Sequence, residues 1–139
     1  MWFVPVGTLC DRHLRAAHNE VKTWLARRRL GQGSDGYYRQ GVWDPRPDAM
    51  RAYCKAVREE LKARGRTVPT APRFEGVDFA DDLERWQRLD PFLLTGREDA
   101  RVARDAWDLL DRCGCGPLGC TTPAAVPAPD EAAVLGEGS

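Results

Sequence analysis

Apolar residues recur at helical spacing along this chain. The first stripe is Cys10, Leu14, Ala17, Val21 and Trp24 with Leu25, the three-and-four step of one helix face. Thr8 stands ahead of it as an N-cap, with Asp11 at the capping-box position. Arg27, Arg28 and Arg29 complement the dipole at the far end, and Gly31 stops the helix. A second stripe, Met50, Tyr53 with Cys54, Val57 and Leu61, predicts a helix from about Pro47 to Arg64 that Gly65 caps. A shorter helix is expected over Phe79–Leu89. A fourth opens with Thr95 as cap and Glu98 at the capping-box position, carries Val102 with Ala103, Ala106 with Trp107 and Leu110, and ends at Gly114. No segment sustains a period of two and no internal repeat is present. The expected fold is all-α: a compact bundle of three to four helices with an irregular C-terminal tail.

Composition bounds this picture without changing it. A chain of 139 residues has room for one domain with one modest core. Residues 1–113 read as the helical domain. Residues 114–139, rich in Gly, Pro and Ala, read as a tail that cannot build a core. No apolar run approaches the length of a membrane span. The apolar first ten residues lack a basic lead and an A-x-A site, so a signal peptide is not expected, and a cytoplasmic, nucleoid-associated, monomeric protein is.

The formal net charge is zero, but its distribution is uneven. Residues 1–66 hold 14 Lys and Arg against 7 Asp and Glu, and residues 67–139 hold the reverse. A basic half suits a polyanion such as DNA; alternatively, the two halves neutralise each other in the fold. Arginine dominates the basic set, and its planar fork suits phosphate.

Candidate chemistry concentrates in Leu9–Glu20, LCDRHLRAAHNE. His13 and Glu20 are seven residues apart, about two helical turns, so both point the same way. The α-amino group of Met1 lies only twelve residues before His13. An amine, an imidazole and a carboxylate can thus share one small site. The same residues also fit the solvated face of an amphipathic helix. His13 and His18, five apart, are poorly spaced for one metal. Cys113, Cys115 and Cys120 form a C-x-C-x4-C group, but a structural zinc site wants four ligands and no histidine is near them in sequence. They read as reduced thiols, and neither a metal nor another cofactor is expected.

The pattern Val6, Leu9, Asp11, His13, Leu14, Ala16 and Glu20 resembles the N-terminal helix of the phage pyrimidine-dimer DNA glycosylases, the endonuclease V family. GVWDPRPDAMRAYCKAVREELKARG, residues 41–65, is similar to that family's second helix and the loop before it. Together the two stretches cover about half the chain, in matching order and spacing. The resemblance implies a compact helical enzyme without a cofactor. In that family the terminal amine attacks C1′ of the damaged nucleotide, the base leaves, an imine forms, and β-elimination nicks the strand.

Carried onto this sequence, the resemblance makes Met1 the nucleophile, since Trp2 disfavours removal of the initiator. An α-amino group, with a pKa of about 8 against about 10.4 for lysine, needs little tuning for the task. Glu20 takes the place of the catalytic glutamate that stabilises charge at C1′ and moves protons. His13 would position the sugar-phosphate or the amine. Arg12, His13, Arg15, Asn19, Lys22, Arg27, Arg39 and Trp43 are the expected contacts to double-stranded DNA carrying damaged or modified bases. Tyr37, Tyr38, Arg39 and Trp43 are stacking and backbone candidates, or alternatively plug the side of the core. The sequence departs from the family where Asn19 and Thr23 replace arginines, and where CGCGPLGC stands in place of an aromatic, lysine-bearing C-terminal stretch. A glycosylase for another modified base, or a non-catalytic DNA-binding module of the same fold, are the alternatives.

Overall fold

The structure, a computed structural model, describes residues 4–32, 45–90, 95–97, 100–102, 104, 113–114 and 119–120. Among these, all regular structure is helical. A 3-10 turn (Val6–Thr8) leads into α1 (Asp11–Arg29), followed by α2 (Pro47–Ala63) and α3 (Ala80–Leu89), with a further helical stretch at residues 100–102. The chain is an all-α bundle, as its periodicity predicts.

The start of α1 differs from expectation. Thr8 does not cap it. Its hydroxyl and its amide both donate to the Pro5 carbonyl, at 2.7 and 3.0 Å, closing the 3-10 turn. Leu9 then runs extended, and Cys10 becomes the N-cap residue. The cause is burial at both ends of the lead: Val4 is 0% and Leu9 2% exposed, and an extended residue is needed to bring both into the core. Asp11, freed from capping-box duty, reaches across to Arg64 at 3.0 Å and Arg66 at 2.8 Å. These guanidinium groups hold its carboxyl below its ordinary pKa.

The ends of α1 and α2 follow from two glycines. Gly31 and Gly65 adopt φ of 72° and 71°, where an L-residue is strained. At each, a pair of hydrogen bonds runs back into the helix: Gly31 N–H to Arg28 O and Gln32 N–H to Arg27 O at 3.0 Å, and Gly65 N–H to Lys62 O with Arg66 N–H to Leu61 O. This paired pattern satisfies carbonyls that would otherwise lack partners. Pro47, whose missing amide costs nothing in the first turn, opens α2. Asp78 Oδ1 accepts from the Ala80 amide at 3.0 Å where α3 begins. At the expected fourth helix, Thr95 and Gly96 form a turn. Residues 105–112, on which most of that expected stripe falls, lie outside the described residues.

Every residue of the first predicted stripe is buried, and α2 buries Met50, Cys54, Val57 and Leu61. They build two adjoining clusters. One gathers Val21, Trp24, Leu25, Met50, Cys54, Phe74 and Trp86; the other gathers Val4, Leu9, Leu14, Val57 and Leu61. Tyr53 touches both, and its hydroxyl donates to the Val4 carbonyl at 2.8 Å. Cys120, expected in the tail, packs against the second cluster. α3 docks through Trp86 and through Asp82, which is 0% exposed and accepts from Arg28 Nε at 2.9 Å. Arg101 lies over the Trp86 ring, 3.5 Å from the buried Asp90 carboxylate.

The polar connection between α2 and α3 runs back along α1. Its carbonyls have no ladder to join and take donors from outside the backbone. Arginines supply them: Arg15 donates to Thr67 O at 3.0 Å, Arg29 Nε to Glu75 O at 3.0 Å, and Arg29 Nη2 to Arg73 O.

Candidate functional site

α1 carries two polar rows along its flanks. One is His13, Glu20 and Arg27; the other is Arg15, Lys22 and Arg29. Each row steps by seven residues, which returns to within about 20° of the same direction. His13 and Glu20 thus share a flank, as their spacing predicts, and both are partly buried. Arg15 and Lys22 stand on the opposite flank, so the expected DNA contacts do not form one continuous patch with Glu20. Arg12 and Asn19 are exposed on the outer face. Met1, Arg39 and Trp43, with Tyr37 and Tyr38, lie outside the described residues.

The His13 end of the first row holds a cluster that sequence reasoning missed. Cys10 Sγ lies 2.9 Å from His13 Nδ1, and Cys120 Sγ lies 3.4 Å from the same nitrogen. Cys10 Sγ is 3.9 Å from Cys113 Sγ and 3.8 Å from Cys120 Sγ. The four ligand atoms all fall within 4.8 Å of one another. Cys113 and Cys120, read as reduced thiols with no histidine near them in sequence, have His13 beside them in the fold; Cys115 lies outside the described residues. The missing histidine and a further cysteine arrive from the start of α1, about a hundred residues earlier. His13, expected to position the sugar-phosphate or the amine, turns its Nδ1 toward sulfur.

Local structure explains the grouping. Cys10 at the N-cap and His13 one turn later both face the entry side of α1. The Cys10 amide donates to Cys120 Sγ at 3.4 Å, and the Cys120 amide to Cys113 Sγ at 3.2 Å. These bonds fix the returning segment against the helix start. Burial pushes the Cys120 thiol up to about 12, with the Cys10 and Cys113 sulfurs adding to the rise and the Cys10 amide opposing it. Burial and then Arg12 lower the His13 pKa. A donor set of three sulfurs and one imidazole is a zinc-type ligand set.

His18, on the core side of α1, is 0% exposed. Arg58 Nη1 donates to its Nε2 at 3.3 Å, and Nδ1 has no hydrogen-bond partner among the described residues. Burial, then Lys22 and Arg58, lower its pKa to about 4. It is a neutral imidazole joining α1 to α2.

Beside it, Ala71 and Pro72 form a ridge between two shallow grooves. One, of about 260 Å³, is lined by Lys22, Leu25, Arg29 and residues 70–73. The other, of about 240 Å³, is lined by Arg51, Cys54, Lys55, Arg58, Phe74 and the ridge. Counting Arg73, six cations and no carboxylate line the pair. Lys22 is the member of this set that the sequence singled out; Arg51, Lys55 and Arg58 were hidden because they sit one helix away. No described helix is long and apolar enough to cross a membrane. Comparison with protein-family models, with curated proteins and with solved structures finds no match.

Proposed function

We propose that this protein is a DNA-repair glycosylase with AP-lyase activity, acting on pyrimidine dimers through an amine–imine intermediate. The observation that carries the reading is the face of six cations across α1, the 71–72 ridge and α2, whose groove linings include no carboxylate, although Arg51 and Lys55 also pair with Asp48 and Glu59 at its edge. Such a face suits phosphates on a duplex, where affinity comes from cations and counterion release. A partly buried carboxylate on the flank of the same helix, Glu20, and a chain lead pinned at Val4 by Tyr53 are compatible with chemistry near the terminus. The resemblance of residues 6–20 and 41–65 to the endonuclease V family supplies the reaction.

In this reading the unprotonated amine of Met1 donates its lone pair to C1′. The C1′–N bond to the base breaks, and the leaving base takes the bonding electrons and then a proton. The sugar ring then opens: the amine nitrogen's lone pair forms the C1′=N bond as the C1′–O4′ bond breaks, and O4′ takes the bonding electrons and a proton released by the amine, which gives the imine. Removal of a C2′ proton expels the 3′ phosphate by β-elimination, and hydrolysis frees the enzyme. Glu20 stabilises the cationic carbon and carries protons at these steps. Duplexes that carry a dimer, an abasic site or no lesion test this. Incision of the first two and not the third is expected. Glu20→Gln should retain DNA binding and lose incision by on the order of 100-fold or more. Binding without incision of any substrate would favour the non-catalytic DNA-binding module. Incision at another altered base, with the dimer untouched, would favour the alternative glycosylase.

A further inference from the structure

We propose that Cys10, His13, Cys113 and Cys120 bind one zinc ion in a closed tetrahedral site that fastens the returning C-terminal segment to the start of α1. The cluster alone supports this site, whatever the protein does to DNA.

Distances favour a metal over a disulfide. A zinc–sulfur distance of about 2.3 Å gives a tetrahedron with sulfur–sulfur edges of about 3.8 Å. The observed edges are 3.8 and 3.9 Å. The Cys120 Sγ to His13 Nδ1 edge, 3.4 Å, is close to the mixed edge of about 3.5 Å that zinc–nitrogen and zinc–sulfur bonds imply. The Cys10–His13 edge, 2.9 Å, must open by about half an ångström, and the remaining edges lie within 4.8 Å. A disulfide would instead require two sulfurs about 2.05 Å apart, and none joins Cys10, Cys54, Cys113 or Cys120.

The surroundings suit a thiolate centre. Two backbone amides already donate to sulfur, Cys10 N–H to Cys120 and Cys120 N–H to Cys113, the outer contacts that orient and stabilise metal-bound thiolates. Cys10 is the N-cap residue of a 19-residue helix, so the cluster lies at the positive end of the α1 dipole. Binding releases three thiol protons to solvent and leaves a centre of net charge −1: one dication, three thiolates and a neutral imidazole. No electron is transferred. With four protein ligands no position remains open for water, which marks a structural site. What it fastens is specific. Cys120 packs on the cluster of Val4, Leu9 and Leu14, so the ion would clamp Cys113 and Cys120 against the chain's buried lead.

Metal analysis of the full chain, purified under reducing conditions without chelator from zinc-supplemented cells, tests the proposal. One zinc per chain is expected. Exchange into cobalt should give the intense visible bands of tetrahedral Co²⁺ with sulfur-to-metal charge transfer. Cys113→Ser and Cys120→Ser should each lower metal affinity at least tenfold, whereas Cys54→Ala should bind fully. Should the serine variants fold poorly, His13→Cys keeps four ligands and should bind cobalt with bands shifted toward a four-thiolate spectrum. A chain that holds no zinc and gives no tetrahedral cobalt spectrum would overturn the site. So would a disulfide among Cys10, Cys113 and Cys120 under these conditions, or unaltered metal affinity in Cys113→Ser and Cys120→Ser.

Discussion

At His18 the fold keeps an imidazole neutral at a pH where an unfolded chain would protonate it. Arg58 from α2 donates to its Nε2, and Lys22 adds a second positive charge from its own helix. The native pKa is lowered to about 4 from 6.5, so between these values the unfolded state binds the extra proton. Stability must therefore fall as pH drops through that window, and the loss is complete below about pH 4. At about 1.4 kcal/mol per pKa unit, this residue accounts for up to about 3 kcal/mol. Urea unfolding of the wild type and His18→Gln at several pH values checks this. The difference between the two should change by that amount between pH 7 and pH 4, and any acid loss of a metal, common to both, cancels. A pH-independent difference would show that folding leaves the His18 pKa unshifted.

His13 shows the opposite side of residue-scale reading. Its alignment with Glu20 was legible, because helical spacing is local. Its partners were not, because Cys113 and Cys120 come from the other end of the chain. The signal was present in Cys10-x2-His13 at the head of a helix, but half of a metal site acquires meaning only when the second half is known to fold onto it. His18 was hidden differently: a histidine on a core face reads like any polar position until Arg58 is placed against it.

Among the elements, α1 was the most legible and its first turn the least. The stripe from Leu14 to Leu25 is buried as its period requires, and Gly31 ends the helix. Thr8, however, has the capping residue's chemistry and spends it on Pro5, because burying Val4 and Leu9 outweighs one cap bond. The docking of α3 rests on a different feature, the Arg28–Asp82 pair. Asp82 is fully enclosed while Arg28 keeps an edge at solvent. Removing the cation leaves a buried carboxylate short of its guanidinium, the costlier half of such a pair to lose. Arg28→Met should destabilise the protein by about 3 kcal/mol in chemical denaturation, and Asp82→Asn by less. The reverse order would mean that α3 is held by Trp86 and its neighbours alone.

Over the whole molecule, the excess of cations in residues 1–66 is folded into a surface. Part of it is consumed internally: Arg15 and Arg29 hold the connection after α2, Arg64 and Arg66 hold Asp11, and Arg28 holds Asp82. Lys22, Arg51, Lys55 and Arg58 line the two grooves, and Arg29 adjoins them. Charge counting made the basic half visible, but it could not separate arginines that serve carbonyls and carboxylates from cations that face outward. Lys22 and Lys55 lie on the two sides of the ridge. Replacing both by alanine should weaken duplex binding similarly for every sequence. It should also reduce the slope of log affinity against log salt by close to 2, at about 0.9 for each phosphate no longer neutralised. An unchanged slope would place the duplex elsewhere.

Borohydride trapping on a duplex with one abasic site joins these scales in a single readout, because reduction fixes the imine as a stable protein–DNA bond. A covalent adduct is expected, mapped by mass spectrometry of the digested complex to the amino terminus at Met1, and lost in Glu20→Gln while binding persists. Duplex binding with no adduct, or an adduct on a lysine side chain in place of that terminus, would contradict the proposed chemistry.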